Sequence, residues 1–198
     1  MTDKNLYIIS GCNGAGKTTA SYTILPEILN CKEFVNADEI AKGLSPFQPD
    51  KVAFEAGRIM INRIDELIKT HQSFAFETTL STRSYRQKIL KASNLGYNIA
   101  LLFFWLNNVE LARERVKTRV KEGGHNIPDD VIKPRYFRGI NNLFDIYLPI
   151  TDSLLIFDNS YGKHELIAHK IGTNIIEPTD KNKYEHLKSI YDSKRKTS

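Results

Sequence analysis

The sequence predicts an α/β fold in which a doubly wound parallel sheet lies between two layers of helices. Short apolar runs alternate with longer segments of helical periodicity, which is the order of parallel strands connected by helices. The run at 97–106, YNIALLFFWL, is almost unbroken, as expected of a strand covered on both faces. A glycine-rich turn follows the first apolar run and leads into a helix, which predicts a ligand site at the carboxyl ends of the strands.

Strands are predicted where a short apolar run is bounded by turn residues. In chain order these runs are 6–10, 33–36, 73–77, 97–106 and 153–158, with a further edge strand within 167–176. No repeat, linker or low-complexity segment interrupts this order, so we expect a single domain over residues 1–180.

Helices are predicted between these strands from their terminal residues and their apolar stripes. Pro49 opens a helix whose apolar stripe includes Ile64 and Ile68. Gly96 ends another helix, and Asn108 caps a third. The predicted helices are 18–29, 49–70, 82–94, 108–122, a helical region to about 147, and 183–191.

Residues 11–19, GCNGAGKTT, have the G-x-x-x-x-G-K-T spacing of a phosphate-binding loop between a strand and a helix. Glycines let the backbone wrap closely around phosphates, so that N–H groups and the helix N-terminus face the anion. Lys17 is expected to reach the terminal phosphates of ATP, and Thr18 to ligate Mg²⁺. The predicted nucleotide-binding residues are Gly11, Asn13, Gly14, Ala15, Gly16, Lys17, Thr18 and Thr19.

Three classes of phosphate-loop protein are excluded by what the sequence lacks. It contains no LSGGQ-type signature of an ABC transporter, and neither the NKxD nor the DxxG motif of a small GTPase. With 198 residues the chain is also short for a motor ATPase. The remaining class is a P-loop NTPase of the kinase-like type, in which a lid closes over the phosphates of ATP.

Charge and composition limit the partners. The formal net charge is +5, but residues 181–198 hold six basic and two acidic residues, so the rest of the chain is near +1. We therefore expect a small-molecule substrate rather than nucleic acid, and a basic C-terminal helix or solvated tail at 181–198. No apolar run reaches membrane-spanning length, and two cysteines without a metal or disulfide pattern predict a cytoplasmic protein.

Three acidic residues follow predicted strands and are candidates for the chemistry. Asp38 either accepts a proton from a substrate hydroxyl or caps the helix that starts there, and the sequence leaves both roles open. Glu77 is the favoured acid to contact Mg²⁺, water or substrate, because the third strand of a kinase-like sheet usually lies beside the first. Asp158 ends a strand further out and is equally well explained as a turn residue near the adenine. Glu39 is expected to point away from the face that carries Asp38.

Arginines on both sides of a Gly-Gly pair predict a lid around residues 108–140. Arg115 and Arg119 are four residues apart and share one helix face, where a triphosphate would offset their repulsion. Arg113 is expected to pair with neighbouring glutamates in solvent. Residues 123–124 supply a hinge, and Arg135 lies on the segment beyond it.

Together these segments resemble the zeta toxin family of small kinases, in particular a branch labelled "predicted ABC-type ATPase". The resemblance covers about residues 5–160 and rests, besides the phosphate loop, on VNADEIAKGLSP, FAFETTLS, GYNIALLFFWL, RVKTRVKEGGHNIPDDVI and FDNS. It implies a kinase-like parallel sheet, ATP and Mg²⁺, phosphorylation of a hydroxyl of UDP-N-acetylglucosamine, and neutralisation by an epsilon antitoxin.

Carried over by position, the resemblance gives roles to the candidate residues. Lys17 resembles the phosphate-binding lysine, Asp38 the base, and Glu77 the acid near substrate and metal. Arg119 and Arg135 resemble the lid arginines, with Arg115 as a competitor. Two other functions stay open from the residues alone: a nucleoside or polynucleotide kinase, and a nucleotide-gated interaction protein without transferase activity.

Overall fold

The computed structural model of the protein describes residues 4–122, 127–172 and 175–195. Within these residues the chain forms strands β1 to β7, which in sequence order are Lys4–Gly11, Phe34–Val35, Phe74–Thr78, Tyr97–Trp105, Ser153–Asp158, Glu165–Ile171 and Glu177–Pro178. They belong to one sheet with the spatial order β2-β3-β1-β4-β5-β6-β7. β1 to β5 pair in parallel, whereas β6 and β7 are antiparallel. The predicted doubly wound α/β fold is confirmed.

The helices α1 to α7 lie between and after these strands, at Lys17–Thr23, Ala37–Leu44, Ala53–Lys69, Arg86–Asn94, Val109–Lys121, Asp129–Asn142 and Lys181–Arg195. Wider π-helical turns extend α1 over Ile24–Ile28 and α6 over Leu143–Tyr147. In the part of the chain that the structure describes, no helix is both long and apolar enough to cross a membrane.

Two helix starts differ from the sequence prediction. α2 begins at Ala37, one residue before Asp38, because Asn36 caps it, and β2 is only two residues long. α3 begins at Ala53 rather than at Pro49, because residues 49–52 form a 3₁₀ turn first. Tight 3₁₀ turns are common at helix N-termini.

The register of β1 against its neighbours positions the site. Ile9 pairs with Glu77 of β3, and Gly11 pairs with Phe104 of β4. The carboxyl ends of these three strands therefore meet at one edge of the sheet. As predicted, the third strand lies beside the first, and the fifth strand is separated from it by β4.

The C-terminal helix α7 packs on the rest of the protein. Leu187 is fully buried, Tyr191 is 6% exposed, and the Tyr191 hydroxyl donates a hydrogen bond to Asp145. Of the helix and the solvated tail that the sequence left open, residues 181–195 form the helix. Basic residues dominate the composition of α7, but the buried side chains of Leu187 and Tyr191 pack this helix onto the protein. Residues 196–198 lie outside the described residues.

Helix α6 is tightly fixed to the loop after β3. A Cβ added at Gly139 would lie only 2.6 Å from the carbonyl oxygen of Thr79. Three residues further along, the Asn142 side chain donates to the carbonyl oxygen of Leu80 at 2.6 Å. Leu80 has a φ of 54°, which is unusual for a branched side chain, so these contacts also stabilise the loop in a strained shape.

We expect Gly139→Ala to destabilise the protein by about 1–3 kcal/mol, because its methyl group meets backbone that cannot move aside cheaply. Gly57→Ala in α3 is the matched control, since nothing lies within 4 Å of a Cβ at Gly57. That substitution is expected to stabilise by about 0.4–1 kcal/mol through the unfolded chain. Urea unfolding of both variants measures the difference. Equal stability of the two variants would contradict the close packing of α6.

Candidate active site

The phosphate loop connects β1 to α1 and is shaped by two close approaches. A Cβ at Gly11, where φ is 137°, would lie 2.0 Å from the carbonyl oxygen of Phe104 in the neighbouring strand. At Gly16, where φ is 78°, it would lie 2.5 Å from the Asn159 side-chain nitrogen. Both positions therefore require glycine. Burial raises the pKa of the Cys12 thiol to about 11, so this loop cysteine stays protonated at neutral pH.

Lys17 and Thr18 meet Glu77 at the end of β3. Lys17 Nζ donates to the carbonyl oxygen of Cys12 at 3.1 Å and lies 3.4 Å from Glu77 Oε1. Thr18 Oγ1 donates to Glu77 Oε2 at 2.8 Å. Lys17 and Glu77 are 7% and 11% exposed, so little water screens this ion pair.

The hydroxyl of Thr18 and the carboxylate of Glu77 are donors of the kind that Mg²⁺ prefers. Across residues 4–122, 127–172 and 175–195, no group of three or more His, Cys, Asp or Glu is arranged to hold a metal ion by itself. Mg²⁺ in phosphoryl-transfer sites usually needs only one or two protein oxygens, because substrate phosphates and water complete its octahedron. The Thr18–Glu77 pair fits that requirement.

Asn36 links Glu77 to the helix that carries Asp38. Its Nδ2 donates to Glu77 Oε2 at 2.9 Å. Its Oδ1 accepts from the backbone N–H of Asp38 at 2.8 Å and from that of Glu39 at 3.4 Å, which makes Asn36 the N-cap of α2. The bond from Asn36 to Glu77 was not predicted from the sequence. The available signal was that β2 and β3 are sheet neighbours, so polar residues that follow them meet.

The side chain of Asp38 is therefore not needed as a cap. Within the described residues its carboxylate makes no hydrogen bond and no ion pair, and it lines the cleft above the phosphate loop. Of the two roles that the sequence left open, the geometry favours the chemical one.

The cleft has a volume of about 650 Å³ and brings together most of the predicted site residues. It is lined by residues of the phosphate loop, α2, α3, the loop after β3, α5 and α6. The predicted site residues on its surface are Asn13, Gly14, Gly16, Lys17, Thr18, Thr19, Asp38, Glu77, Arg115, Arg119 and Arg135. Gly11 and Ala15 are buried behind the loop and do not line it.

The arginines reach the cleft from two helices. Arg115 and Arg119 lie on α5, and Arg115 donates to the carbonyl oxygen of Ser160 at 3.0 Å. Arg135 lies on α6, where burial lowers the pKa of its guanidinium and the negative charge of Asp38 partly opposes that shift. Both residues line the cleft, so its wall carries opposite charges.

Helix α6, which belongs to the predicted lid, is fixed at its C-terminal end. The hinge expected at 123–124 lies outside the described residues. α6 is held by Gly139 and Asn142 against the loop after β3, so a rigid movement of the whole helix that carries Arg135 would have to break these contacts. Arg113 lies away from the cleft and pairs with Asp129 at 3.4 Å and with Glu110 at 3.8 Å.

The acidic residues Glu39 and Asp158 lie in different places, and the position of Glu39 differs from the sequence prediction. Glu39 lines the cleft as well and pairs with Lys42 at 2.6 Å, so the prediction that it points elsewhere is wrong. The reason is that α2 runs along the cleft wall and presents more than one face to it. Asp158 is 2% exposed, does not line the cleft, and accepts a hydrogen bond from the backbone of Ser160 at 2.9 Å.

Residues 2–160 match the family described as Zeta toxin. The chain belongs to the zeta toxin family. The match includes all the cleft residues named above, and it leaves β6, β7 and α7 outside. In this zeta toxin relative, a kinase-like sheet surrounds a complete phosphate loop.

The chain is also similar to individual proteins. A protein of Haemophilus influenzae (strain Rd), described as uncharacterized, is 35% identical over 143 residues, which cover 69% of this chain and 100% of the relative. Among solved structures, a chain of the AvrRxo1-ORF1:-ORF2 complex with ATP superposes with a TM-score of 0.74 at 17% identity. That alignment covers 95% of this chain and 64% of the AvrRxo1 chain. This chain therefore spans less than two thirds of the length of the AvrRxo1 chain.

A second solved structure comes from the PezAT chromosomal toxin-antitoxin system of Streptococcus pneumoniae. It superposes with a TM-score of 0.63 at 13% identity and covers 98% of this chain and 88% of the other. At these identities both structures show that the fold is shared.

Proposed function

We propose that the protein transfers the γ-phosphate of ATP to a hydroxyl group of a small molecule, with UDP-N-acetylglucosamine as the first candidate acceptor. One observation carries this proposal. The Asp38 carboxylate faces the same cleft as the phosphate loop, while Asn36 takes over the capping of α2. A carboxylate placed in this way is available to accept a proton from an attacking hydroxyl.

The cleft residues divide the work of the transfer. Lys17 and the N–H groups of the loop bind the β- and γ-phosphates. The acceptor oxygen forms a bond to the γ-phosphorus, the bond from that phosphorus to the β–γ bridging oxygen breaks, and ADP leaves. Asp38 takes the proton that the hydroxyl loses. Arg119 and Arg135 offset the negative charge of the transferred phosphoryl group. Arg115 stabilises the adjacent wall of the cleft through its hydrogen bond to Ser160.

Thr18 and Glu77 are the residues that would hold Mg²⁺. When bound, the ion neutralises charge on the β- and γ-phosphate oxygens. The chain's own contribution is to keep one hydroxyl and one carboxylate 2.8 Å apart at the end of the loop. ATP as the phosphate donor is also supported by the AvrRxo1-ORF1:-ORF2 complex, which was solved with ATP.

An antitoxin is the proposed protein partner. The support is that PezAT, which has the same fold, is a toxin-antitoxin system. Family membership points the same way.

The first experiment incubates the protein with Mg²⁺, ATP labelled in its γ-phosphate, and UDP-N-acetylglucosamine, and analyses the products by mass spectrometry. We expect the sugar nucleotide to gain the mass of one labelled phosphate group. A parallel reaction replaces it with a metabolite extract. Label in another hydroxyl compound would keep the kinase and change the acceptor. Label found only in inorganic phosphate would contradict transfer and favour a nucleotide-gated interaction protein.

A further inference from the structure

The turn that follows β5 braces the phosphate loop from behind. The Asn159 side chain donates to the carbonyl oxygen of Ala15 at 2.7 Å, and its backbone N–H donates to that of Trp105 at 2.9 Å. The same side-chain nitrogen lies against Gly16, where a Cβ would approach it to 2.5 Å. Asn159 therefore fixes the loop at the residues that immediately precede Lys17.

Ser160 extends this brace to helix α5. Its Oγ accepts a hydrogen bond from the backbone N–H of Asn107 at 2.9 Å, and its carbonyl oxygen accepts from Arg115 at 3.0 Å. Asp158 in turn orients Ser160, because its Oδ1 accepts from both the backbone N–H and the hydroxyl of Ser160. One turn thus positions both the phosphate loop and an arginine of the cleft.

The cation that pairs with the Asp158 carboxylate comes from the C-terminal helix α7. Lys183 Nζ lies 3.2 Å from Asp158 Oδ2 and 2.6 Å from Glu165 Oε2. Asp158 is 2% exposed, and a carboxylate at such depth is strongly destabilised when its cation is removed. Lys183 is 26% exposed, so its ammonium group sits at the surface end of this buried network.

We propose that Lys183 is a positioning residue for ATP binding, which acts through Asp158 and the brace formed by Asn159 and Ser160. This inference rests on the proposed nucleotide site. Lys183 lies outside residues 2–160 that match the family, so the C-terminal helix contributes to a site whose contact residues all lie within the matched segment.

The test is calorimetric titration of the full chain with MgATP in the absence of any acceptor. We expect Lys183→Met to raise the Kd for MgATP by about two- to thirtyfold, the range for residues coupled to a site through a contact network. Lys181→Met is the matched control, because it removes the same charge from the same helix. Lys181 is 80% exposed and lies 3.9 Å from Glu185, so the Lys181→Met variant is expected to bind MgATP with the wild-type Kd. Lys183→Arg is expected to recover most of the affinity.

A second variant tests the brace directly and protects the test against misfolding. Asn159→Ala is expected to weaken MgATP binding, and its combination with Lys183→Met is expected to lose less than the sum of the two effects, because both act on one network. Melting curves without nucleotide separate loss of fold from loss of affinity. MgATP binding at the wild-type Kd by Lys183→Met, or by Asn159→Ala where the first variant is unfolded, would overturn the inference. Failure of phosphate transfer leaves this binding readout unchanged, so the two proposals fail separately.

Discussion

The Asp38→Asn variant is expected to transfer phosphate about 10²–10⁴-fold more slowly than the wild type, while it binds ATP with the same affinity. Asparagine has nearly the size of aspartate but cannot accept the hydroxyl proton. The cap of α2 stays intact, because the side chain of Asn36 accepts the backbone N–H bonds there. The rate is measured with ATP labelled in its γ-phosphate, and ATP binding by calorimetry.

The neighbouring residue supplies the control for charge. Glu39→Gln removes a carboxylate from the same helix turn, but one that pairs with Lys42 at the exposed rim of the cleft. Surface pairs of this kind contribute little, so its transfer rate at saturating substrates is expected within about threefold of the wild type. Transfer by Asp38→Asn at the rate of Glu39→Gln would contradict the role of Asp38 as the base.

Much of the fold could be predicted because two strong local signals agree. The loop 11–19 has a fixed spacing and needs a strand before it and a helix after it, and the apolar run 97–106 has the length and pattern of a central strand. Segments with weaker signals were less well predicted. α7 is mostly polar, and its docking depends on Leu187 and Tyr191 meeting a surface that only the complete fold creates.

The candidate site was predictable residue by residue, but its connections were not. Asp38 and Glu77 stand at strand ends, and the position of strand ends in a parallel sheet follows from its topology. The hydrogen bond from Asn36 to Glu77 depends on the distance between two loops that are far apart in sequence. The brace at Asn159 has the same origin, since a residue at the end of β5 meets Ala15 only after the sheet is assembled.

The Glu77→Gln variant is expected to need about 10–100-fold more Mg²⁺ for half-maximal transfer. The wild-type carboxylate accepts hydrogen bonds from Thr18 at 2.8 Å and from Asn36 at 2.9 Å, and it lies 3.4 Å from Lys17. Glutamine keeps one oxygen but presents an amide N–H₂ to a site that is otherwise filled with donors. The loss of charge also leaves the buried ammonium of Lys17 without this anion, so binding of the metal and of ATP must be measured separately.

A titration of the transfer rate with Mg²⁺, together with calorimetry of ATP binding at each metal concentration, distinguishes the two effects. Glu33→Gln is the control, because Glu33 is 44% exposed and pairs with Arg63 away from the cleft, so its Mg²⁺ dependence is expected to be that of the wild type. If Glu77→Gln recovers full transfer at high Mg²⁺, the carboxylate serves the metal. If transfer stays low at every Mg²⁺ concentration while ATP still binds, Glu77 acts by holding Thr18 and Asn36 in place. Wild-type Mg²⁺ dependence in Glu77→Gln would remove Glu77 from the metal site and leave Thr18 as the protein oxygen that the loop itself provides.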